Sequence, residues 1–170
     1  VGLRLAKSLE ELKINVKVIE CNQERCEYLS ENLSNSLVIN ADGTDVELLN
    51  EEDISSADVF VSVTNNDEKN LLCSLMAKQL GVNKVISKVS NSTNAGLFEK
   101  VGIDIAVSSK VAAMNEIKNS LPGNKCGILA TVEQGKGEVL EITLPEDYLS
   151  KKIMDLKFPQ KAIVSIIQRR

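Results

Sequence analysis

Six polar residues and two glycines lie next to the short apolar runs of this sequence, and they can bind a small ligand. They are Gly2, Glu20, Asp42, Gly43, Thr64, Asn65, Asp67 and Lys88. Carboxylate, amide and hydroxyl groups form hydrogen bonds with sugar hydroxyls, and a lysine ammonium binds phosphate as a point charge. These residue types favour binding over catalysis, provided that a fold brings them to one edge.

Glu20 stands where a dinucleotide-binding unit places its ribose-binding carboxylate. In such a unit a glycine turn delivers the phosphates to a helix N-terminus, and an acidic residue roughly 20 positions later holds the ribose hydroxyls. Glu20 follows Gly2 by 18 residues, which makes Gly2 the last glycine of that turn, the one that lets helix and strand pack closely. Spacing alone supports a ribose site and a plain solvated carboxylate equally. A carboxylate here also repels a 2′-phosphate, which favours NAD or adenosine nucleotides over NADP.

Two further polar segments follow predicted strands. They are Ala41-Asp-Gly43 and Thr64-Asn-Asn-Asp-Glu68. Open parallel sheets bind ligands at the carboxyl ends of their strands, so the location favours a site. The alternative is structural, because Asp-Gly forms turns and Thr or Asn caps helices in many proteins. Lys88 also ends a strand, where it either reaches a phosphate or is simply solvated.

Histidine is absent from the sequence, which excludes Ser-His, Cys-His and His-metal chemistry. Tyr148 and Lys152 show the Tyr-x-x-x-Lys spacing of short-chain dehydrogenases, but they follow the predicted domain break, so we interpret the match as accidental. The cysteines lack the paired short spacings of a disulfide framework or a zinc site, and a reducing cytoplasm fits best. They are Cys21, Cys26, Cys73 and Cys126. We predict no catalytic residue and no metal site.

The composition is that of an ordinary globular protein. Of 170 residues, 43% are hydrophobic and 26% charged, and 20 basic against 24 acidic side chains give a net charge of -4. That balance, with 3% aromatic residues and no Trp, argues against nucleic acid as a ligand. No apolar run approaches the roughly 20 residues that cross a bilayer. We therefore expect any membrane contact to be made through a partner.

Strand and helix patterns alternate over residues 1–122. Strands are predicted at 15–20, 36–40, 58–63, 84–89 and 103–107, and helices at 2–12, 22–33, 44–49, 67–80, 93–101 and 110–121. The helix at 67–80 is predicted to pack through Leu71, Leu72, Leu75, Met76 and Leu80. Short, nearly continuous apolar strands alternating with helices predict an α/β fold with a doubly wound parallel sheet.

A second, small α+β domain is predicted for residues 123–170. Leu121-Pro-Gly-Asn-Lys125 interrupts the alternation, because tandem proline and glycine end a helix. Strands are then predicted at 137–144 and 162–167, with a helix at 148–156. We expect the first strand of the Rossmann-like domain and its glycine turn to precede Val1, and the small domain to be truncated.

Several of these stretches together resemble the RCK or KTN domains of potassium channels and transporters, and in particular TrkA-type regulatory subunits. They are Val1-Gly-Leu-Arg-Leu-Ala-Lys7, Val18-Ile-Glu-Cys-Asn-Gln-Glu-Arg25, Val38-Ile-Asn-Ala-Asp-Gly-Thr44, Asp58-Val-Phe-Val-Ser-Val-Thr-Asn-Asn-Asp-Glu-Lys-Asn70, Gly137-Glu-Val-Leu-Glu-Ile-Thr-Leu144 and Ala162-Ile-Val-Ser-Ile-Ile-Gln-Arg-Arg170. The resemblance implies a Rossmann-like nucleotide-binding unit followed by the front half of a small C-terminal domain. Of the two tandem units in such subunits, it is more similar to the second.

The resemblance also implies roles for the residues singled out above. It assigns Glu20 to the ribose, Asp42 and Gly43 to the adenine side, Thr64, Asn65 and Asp67 to the cleft wall, and Lys88 to phosphate. Ala41 stands where relatives often have glycine. The implied ligand is NAD(H) or ATP/ADP, and the implied assembly is a dimer or tetramer on the cytoplasmic face of a Trk-type potassium-translocating membrane subunit.

Two other functions remain open on the sequence. An NAD-dependent oxidoreductase needs a substrate domain and a proton-transfer residue, and without histidine the candidates are Lys88, Tyr148 or a carboxylate. An assembly module with a silent nucleotide cleft is the other. Turnover of NADH with a small carbonyl substrate identifies the enzyme, and stable oligomers without nucleotide binding identify the assembly module.

Overall fold

Helices and strands alternate along the first part of the chain, as predicted. A computed structural model describes residues 1–120, 126–132, 137–144, 151–156, 158 and 161–167. The helices are α1 (Gly2–Glu11), α2 (Gln23–Asn32), α3 (Val46–Glu51), α4 (Asp67–Gln79), α5 (Ala95–Lys100) and α6 (Ser109–Ser120). The first five strands are β1 (Lys17–Glu20), β2 (Leu37–Asn40), β3 (Val59–Ser62), β4 (Lys84–Val89) and β5 (Ile105–Ser108).

Side-chain caps set where several helices begin. Asn22 accepts a hydrogen bond from Arg25 N at 2.8 Å, and Asn66 accepts one from Lys69 N at 2.6 Å. Asp45 accepts hydrogen bonds from the backbone of residues 47 and 48, so α3 begins after Asp45 and not at Thr44 as predicted. A carboxylate or amide oxygen at this position satisfies amide groups that lack a partner within the helix.

All five strands run parallel within their sheets. β1 pairs with β2 from Lys17↔Leu37 to Glu20↔Asn40. β4 lies between β3 and β5. Ile19 of β1 and Phe60 of β3 pack against the same core. Among the described residues, these two strands do not pair with each other. The parallel, Rossmann-like α/β architecture predicted from the alternation is confirmed.

Helices cover the β1–β2 sheet on both faces. Successive residues of a strand point to opposite faces, and Val18 and Ile19 accordingly enter different clusters. Around Val18 lie residues of α1 and α2, namely Leu3, Ala6, Leu29 and Leu33. Around Ile19 lie residues from α3 to the start of β5, namely Leu49, Ile54, Ala77, Val82, Val85, Val89, Phe98 and Ile103. The chain is therefore wound over both sides of this sheet.

α4 approaches the sheet with its small side chains, and four of the five residues that were predicted to pack do so, with Leu72 as the exception. Its buried residues are Asn70, Cys73, Ser74 and Ala77, whereas Leu72 is 48% exposed. Of the predicted set, Leu71, Leu75, Met76 and Leu80 lie partly buried at the margin of the core. Gly81 ends the helix in a left-handed conformation, with φ 104°, which glycine adopts without the steric penalty of a Cβ atom.

The chain divides into two units, Val1–Ile117 and Lys118–Arg170. The predicted domain break at 121–125 lies outside the described residues, so the domain assignment stays a prediction. The second unit contains an antiparallel pair, β6 (Cys126–Val132) and β7 (Gly137–Ile142). The prediction missed β6, because its sequence is apolar without the alternation of a half-buried strand.

Two other predictions for the second unit fare differently. Residues 162–167 contain no strand, which corrects the strand predicted there. Ile163 and Ile166 are 90% and 88% exposed, so no described neighbour supplies the pairing that a strand needs. Tyr148 and the first turn of the helix predicted at 148–156 lie outside the described residues, and the part described contains only a 3-10 turn at Ile153–Asp155. Within the described part of the chain, no helix has the length and apolar character required to span a bilayer.

Candidate functional site

The carboxyl ends of β1 to β4 carry most of the predicted site residues. We call this edge, with Glu20, Asp42, Thr64 and Lys88 and the loops around them, the strand-end rim. Its side chains are polar and partly exposed, whereas the strands behind it are packed in the core. Among the described residues, no three His, Cys, Asp or Glu side chains group as a metal site requires. The polar, partly exposed side chains suit the rim to a polar organic ligand.

Glu20 is the last residue of β1, and its carboxylate is fixed from α2. Glu20 Oε1 accepts a hydrogen bond from Asn22 N at 3.1 Å. The main-chain carbonyl of Glu20 accepts two more, from Asn40 Nδ2 and from Ala41 N, both at 3.0 Å. Because Asn40 ends the neighbouring strand, β1 and β2 are tied together at the point where the carboxylate projects. The half-buried carboxylate is oriented before any ligand arrives.

Asp42 and Gly43 lie in the loop after β2 and face α4. Asp42 accepts hydrogen bonds from Thr44 N at 3.0 Å and Thr44 Oγ1 at 2.8 Å, and forms an ion pair with Lys69 Nζ at 3.1 Å. The backbone and hydroxyl hydrogen bonds from Thr44, followed by Lys69, lower the pKa of Asp42. A Cβ atom on Gly43 would lie 3.4 Å from Cys73 Sγ, so this loop lies close against α4.

Thr64 and Lys88 meet through Asn70, the fourth residue of α4. Asn70 Oδ1 accepts hydrogen bonds from Thr64 N at 2.8 Å and Thr64 Oγ1 at 2.7 Å. Asn70 Nδ2 donates to the carbonyls of Thr64 at 3.2 Å and Lys88 at 3.0 Å. Lys88 Nζ donates to the carbonyl of Thr64 at 3.0 Å, which holds the ammonium at the rim. Asn65 is exposed beside this network.

Asp67, predicted to line the cleft, also makes a contact within the structure. Its two carboxylate oxygens accept hydrogen bonds from Ser90 N at 2.8 and 3.0 Å, and Oδ2 accepts one from Asn91 N at 3.2 Å. Burial raises the pKa of Asp67, but the backbone hydrogen bonds from Ser90 and Asn91 outweigh it and leave the pKa lowered. The carboxylate thus joins the start of α4 to the loop after β4.

Gly2, in α1, occupies a packing position. A Cβ atom there would lie 3.4 Å from Val63 Cγ2, just beyond the end of β3. The structure thus places Asp42, Thr64 and Lys88 around the first turns of α4, Glu20 beside Asn40, and Gly2 against Val63.

Sequence reasoning missed Asn40, Lys69 and Asn70. The sequence contained a signal for two of them, because Asn40 is an amide at the end of a strand and Asn70 is an amide at a core position of a helix.

The contact of Asp67 gives a pH-dependent prediction. Its pKa in the folded state lies below the ordinary 3.8, so the ionised carboxylate contributes stability that is present above the unfolded-state pKa. That contribution is lost as pH falls through the folded-state pKa. Urea unfolding between about pH 7 and pH 3 is expected to show Asp67→Ala less stable than the wild type at neutral pH, with the difference shrinking below about pH 4.

The control for this prediction is Glu68→Ala, an exposed carboxylate one residue along α4. Its free energy of unfolding is expected to follow that of the wild type at every pH. Other acidic groups of the protein titrate in all three proteins, so their contributions cancel in the differences. A gap between wild type and Asp67→Ala that is constant from pH 7 to pH 3 contradicts a role for the ionised carboxylate.

Comparison with known proteins adds relatives to this geometry. Residues 1–109 match the family model described as the TrkA-N domain. The Trk system potassium uptake protein TrkA homolog 2 of Methanosarcina mazei is 46% identical over 170 residues, which are 98% of this chain and 38% of that protein. The Trk system potassium uptake protein TrkA of Vibrio alginolyticus is 32% identical over 174 residues, 99% of this chain and 38% of that protein. The chain thus spans about two fifths of the length of these relatives.

Solved structures share the fold at low sequence identity. The NAD(P)-binding domain of an exopolyphosphatase-related protein from Archaeoglobus fulgidus superposes with a TM-score of 0.60 at 24% identity, covering 69% of this chain and 90% of that domain. The GsuK channel bound to NAD superposes with a TM-score of 0.63 at 19% identity, covering 78% of this chain and 23% of the channel chain. GsuK has also been solved bound to ADP, with a TM-score of 0.62 at 18% identity, covering 69% of this chain and 31% of that one.

Proposed function

This chain belongs to the TrkA-N domain family, and from that premise we propose that it is the nucleotide-sensing part of a regulator of potassium transport. The relatives that are similar over nearly the whole chain are Trk system potassium uptake proteins. The proposed role is regulatory and not enzymatic. The partner in this proposal is a Trk-type potassium-translocating membrane subunit, on whose cytoplasmic face a homo-oligomer of the regulator docks.

The observation that carries the nucleotide part is the oriented carboxylate at the end of β1. Glu20 is held by Asn22 N at 3.1 Å, and Asn40 fixes its main chain, so the cost of ordering this carboxylate is partly met before a ligand binds. In a doubly wound sheet an acidic residue at this strand end accepts hydrogen bonds from ribose hydroxyls. We propose NAD(H) or ATP/ADP as ligand, with Asp42 and Gly43 toward the base, Thr64, Asn65 and Asp67 along the cleft wall, and Lys88 toward phosphate.

Regulation in this proposal is a population shift. A nucleotide that binds one arrangement of paired subunits more tightly than another pulls the assembly toward that arrangement, and the membrane subunit follows. Only the difference in affinity matters, because a ligand that binds both arrangements equally shifts nothing. The loops after β2, β3 and β4 each contact α4, so a ligand that moves one of these loops acts on a helix shared by the other two.

A thermal-shift titration of the full-length protein tests the proposal. NAD, NADH, ATP and ADP are added separately, with NADP as the comparison for the 2′-phosphate. Binding to the folded state raises its stability by mass action, by about 2.7 kcal/mol when the ligand reaches 100 times its Kd. We expect a saturable rise in Tm with at least one of the four nucleotides and a smaller rise with NADP.

Two other outcomes contradict the proposal. Stable oligomers without a shift for any nucleotide indicate an assembly module with a silent cleft. Oxidation of NADH that depends on a small carbonyl substrate indicates an oxidoreductase. Potassium uptake measured in cells with and without the regulator then decides whether a nucleotide that binds also controls transport.

A further inference from the structure

We propose that Asn70 is the positioning residue of the strand-end rim. Its side chain is fully buried, so it does not touch a ligand at the rim. It sets where Thr64 and Lys88 stand, and through them the affinity for a nucleotide. This inference rests on the proposed function and adds a residue to which neither the sequence pattern nor the comparisons assign a role.

The first step is that the carboxamide of Asn70 uses its full hydrogen-bonding capacity. A carboxamide has two acceptor sites on oxygen and two donor hydrogens on nitrogen. Asn70 Oδ1 accepts from the amide and the hydroxyl of Thr64, and Nδ2 donates to the carbonyls of Thr64 and Lys88. A side chain of any other type leaves at least one of these groups without its partner, and unpaired buried groups are costly.

The second step is that these four bonds join two different parts of the rim. Thr64 lies in the loop between β3 and α4, and Lys88 lies near the end of β4. The carbonyl of Thr64 accepts from both Asn70 Nδ2 and Lys88 Nζ. The position of the Lys88 ammonium therefore depends on a carbonyl that Asn70 fixes, although the ammonium and Asn70 share no direct bond in the structure.

The third step separates Asn70 from an ordinary buried polar residue. Ser74 lies one turn further along α4, is equally buried, and donates a hydrogen bond to Ser62 Oγ at 2.9 Å. That bond ties the same helix to Ser62, the last residue of β3, and involves neither Thr64 nor Lys88. Ser74→Ala is therefore a matched control that removes a buried hydrogen bond of α4 and leaves Thr64 and Lys88 in place.

The experiment compares Asn70→Ala, Asn70→Asp and Ser74→Ala in the full-length protein, first without nucleotide. In Asn70→Ala, hydrogen exchange of the Thr64 amide is expected to be about tenfold faster than in the wild type. Ser74→Ala is expected to leave it unchanged. Asn70→Asp keeps the acceptor for Thr64 and loses the donor to the two carbonyls, so the Thr64 amide stays protected there.

The second readout is affinity for the nucleotide that the wild type binds. Removing the hydrogen-bonded support of a binding group typically costs about 10- to 100-fold in affinity. We expect a loss of that size in both Asn70 variants and none in Ser74→Ala. Equal loss of affinity in Asn70→Ala and Ser74→Ala overturns the proposal, because affinity would then depend on the stability of α4 and not on Asn70 itself. No loss of affinity in either Asn70 variant also overturns it, because nucleotide binding would then be independent of Asn70.

A measurement on the unsubstituted protein covers the case in which the Asn70 variants do not fold. The Nδ2 hydrogens of Asn70 are expected to exchange with solvent far more slowly than those of the exposed Asn65. Equally fast exchange removes the basis of the proposal. A wild type that binds no nucleotide contradicts the proposed function instead, and the exchange rates then still decide whether Asn70 holds Thr64 and Lys88.

Discussion

Replacing Glu20 by alanine is expected to weaken nucleotide binding by about 10- to 100-fold. Hydrogen bonds to a charged group contribute about 1.5 to 3 kcal/mol, and each 1.4 kcal/mol is a factor of ten in Kd. The Glu20 carboxylate is already held by Asn22 N at 3.1 Å, so ligand hydroxyls meet an ordered acceptor. Isothermal titration with the nucleotide that gives the largest thermal shift in the wild type measures the change.

The control for Glu20→Ala is Glu24→Ala. Glu24 lies in the first turn of α2, close to Glu20 in sequence, and is exposed. Both substitutions remove one negative charge, so a general electrostatic effect weakens or strengthens binding in both variants alike. We expect Glu24→Ala to bind as the wild type does. Equal affinity in wild type and Glu20→Ala excludes Glu20 as the ribose contact.

The same substitution tests discrimination against a 2′-phosphate. A carboxylate at this position repels the extra phosphate of NADP, so Glu20→Ala is expected to narrow the difference in affinity between NAD and NADP. A difference that stays as large as in the wild type shows that another group causes the discrimination.

The largest expected loss of stability comes from Leu49→Ala in α3. Leu49 is 0% exposed and lies in the cluster shared by α3, α4, α5 and β4. Substitution of a buried leucine by alanine removes transfer free energy and leaves a cavity, at a cost of about 2 to 5 kcal/mol. Urea unfolding of wild type and variant at pH 7 measures the difference in free energy of unfolding.

Leu72→Ala is the matched control, because Leu72 is 48% exposed on α4. A substitution on the surface usually changes stability by no more than about 0.5 kcal/mol. The sequence pattern predicted that Leu72 packs against the core, so this control also tests its exposed position. A loss in Leu72→Ala as large as that in Leu49→Ala contradicts the exposed position of Leu72.

Local sequence rules predicted the elements of the fold well. Asn22 was predicted to cap a helix, and it does so by accepting a hydrogen bond from an amide group one turn away, which is a contact between near neighbours. β4 was predicted with the bounds Lys84–Val89 that the structure shows. Such features depend on side-chain chemistry and on backbone preferences over a few residues, so the chain itself contains the information.

The local rules did not predict contacts between residues that are distant in sequence. β6 is a strand because it pairs with β7, which its own sequence does not show. Residues 162–167 have an apolar sequence but no partner strand among the described residues. On α4 the pattern predicted four residues that do pack against the core but missed the small, more deeply buried ones, because a helix lies closest to a sheet where its side chains are small. Ser74 and Ala77 therefore face the sheet, and the larger Leu72 does not.

The sequence by itself determined the class of this protein. The alternation of strand and helix patterns predicted a Rossmann-like unit, the position of Glu20 after an apolar run indicated a nucleotide site, and the missing histidine argued against catalysis. The family match over residues 1–109 confirms the resemblance. Helices and strands can be predicted from residues that are close in sequence, because the spacing of apolar residues follows the period of one helix or one strand.

Only the tertiary structure decided how the candidate site is held together. Asn70 meets Lys88 across 18 residues and Lys69 meets Asp42 across 27, while Asp67 turns to Ser90 and Asn91. Each contact depends on the crossing of α4 over the strand ends. The strength of a buried hydrogen bond depends on distances of a few tenths of an ångström, and sequence spacing does not specify distances between separate elements.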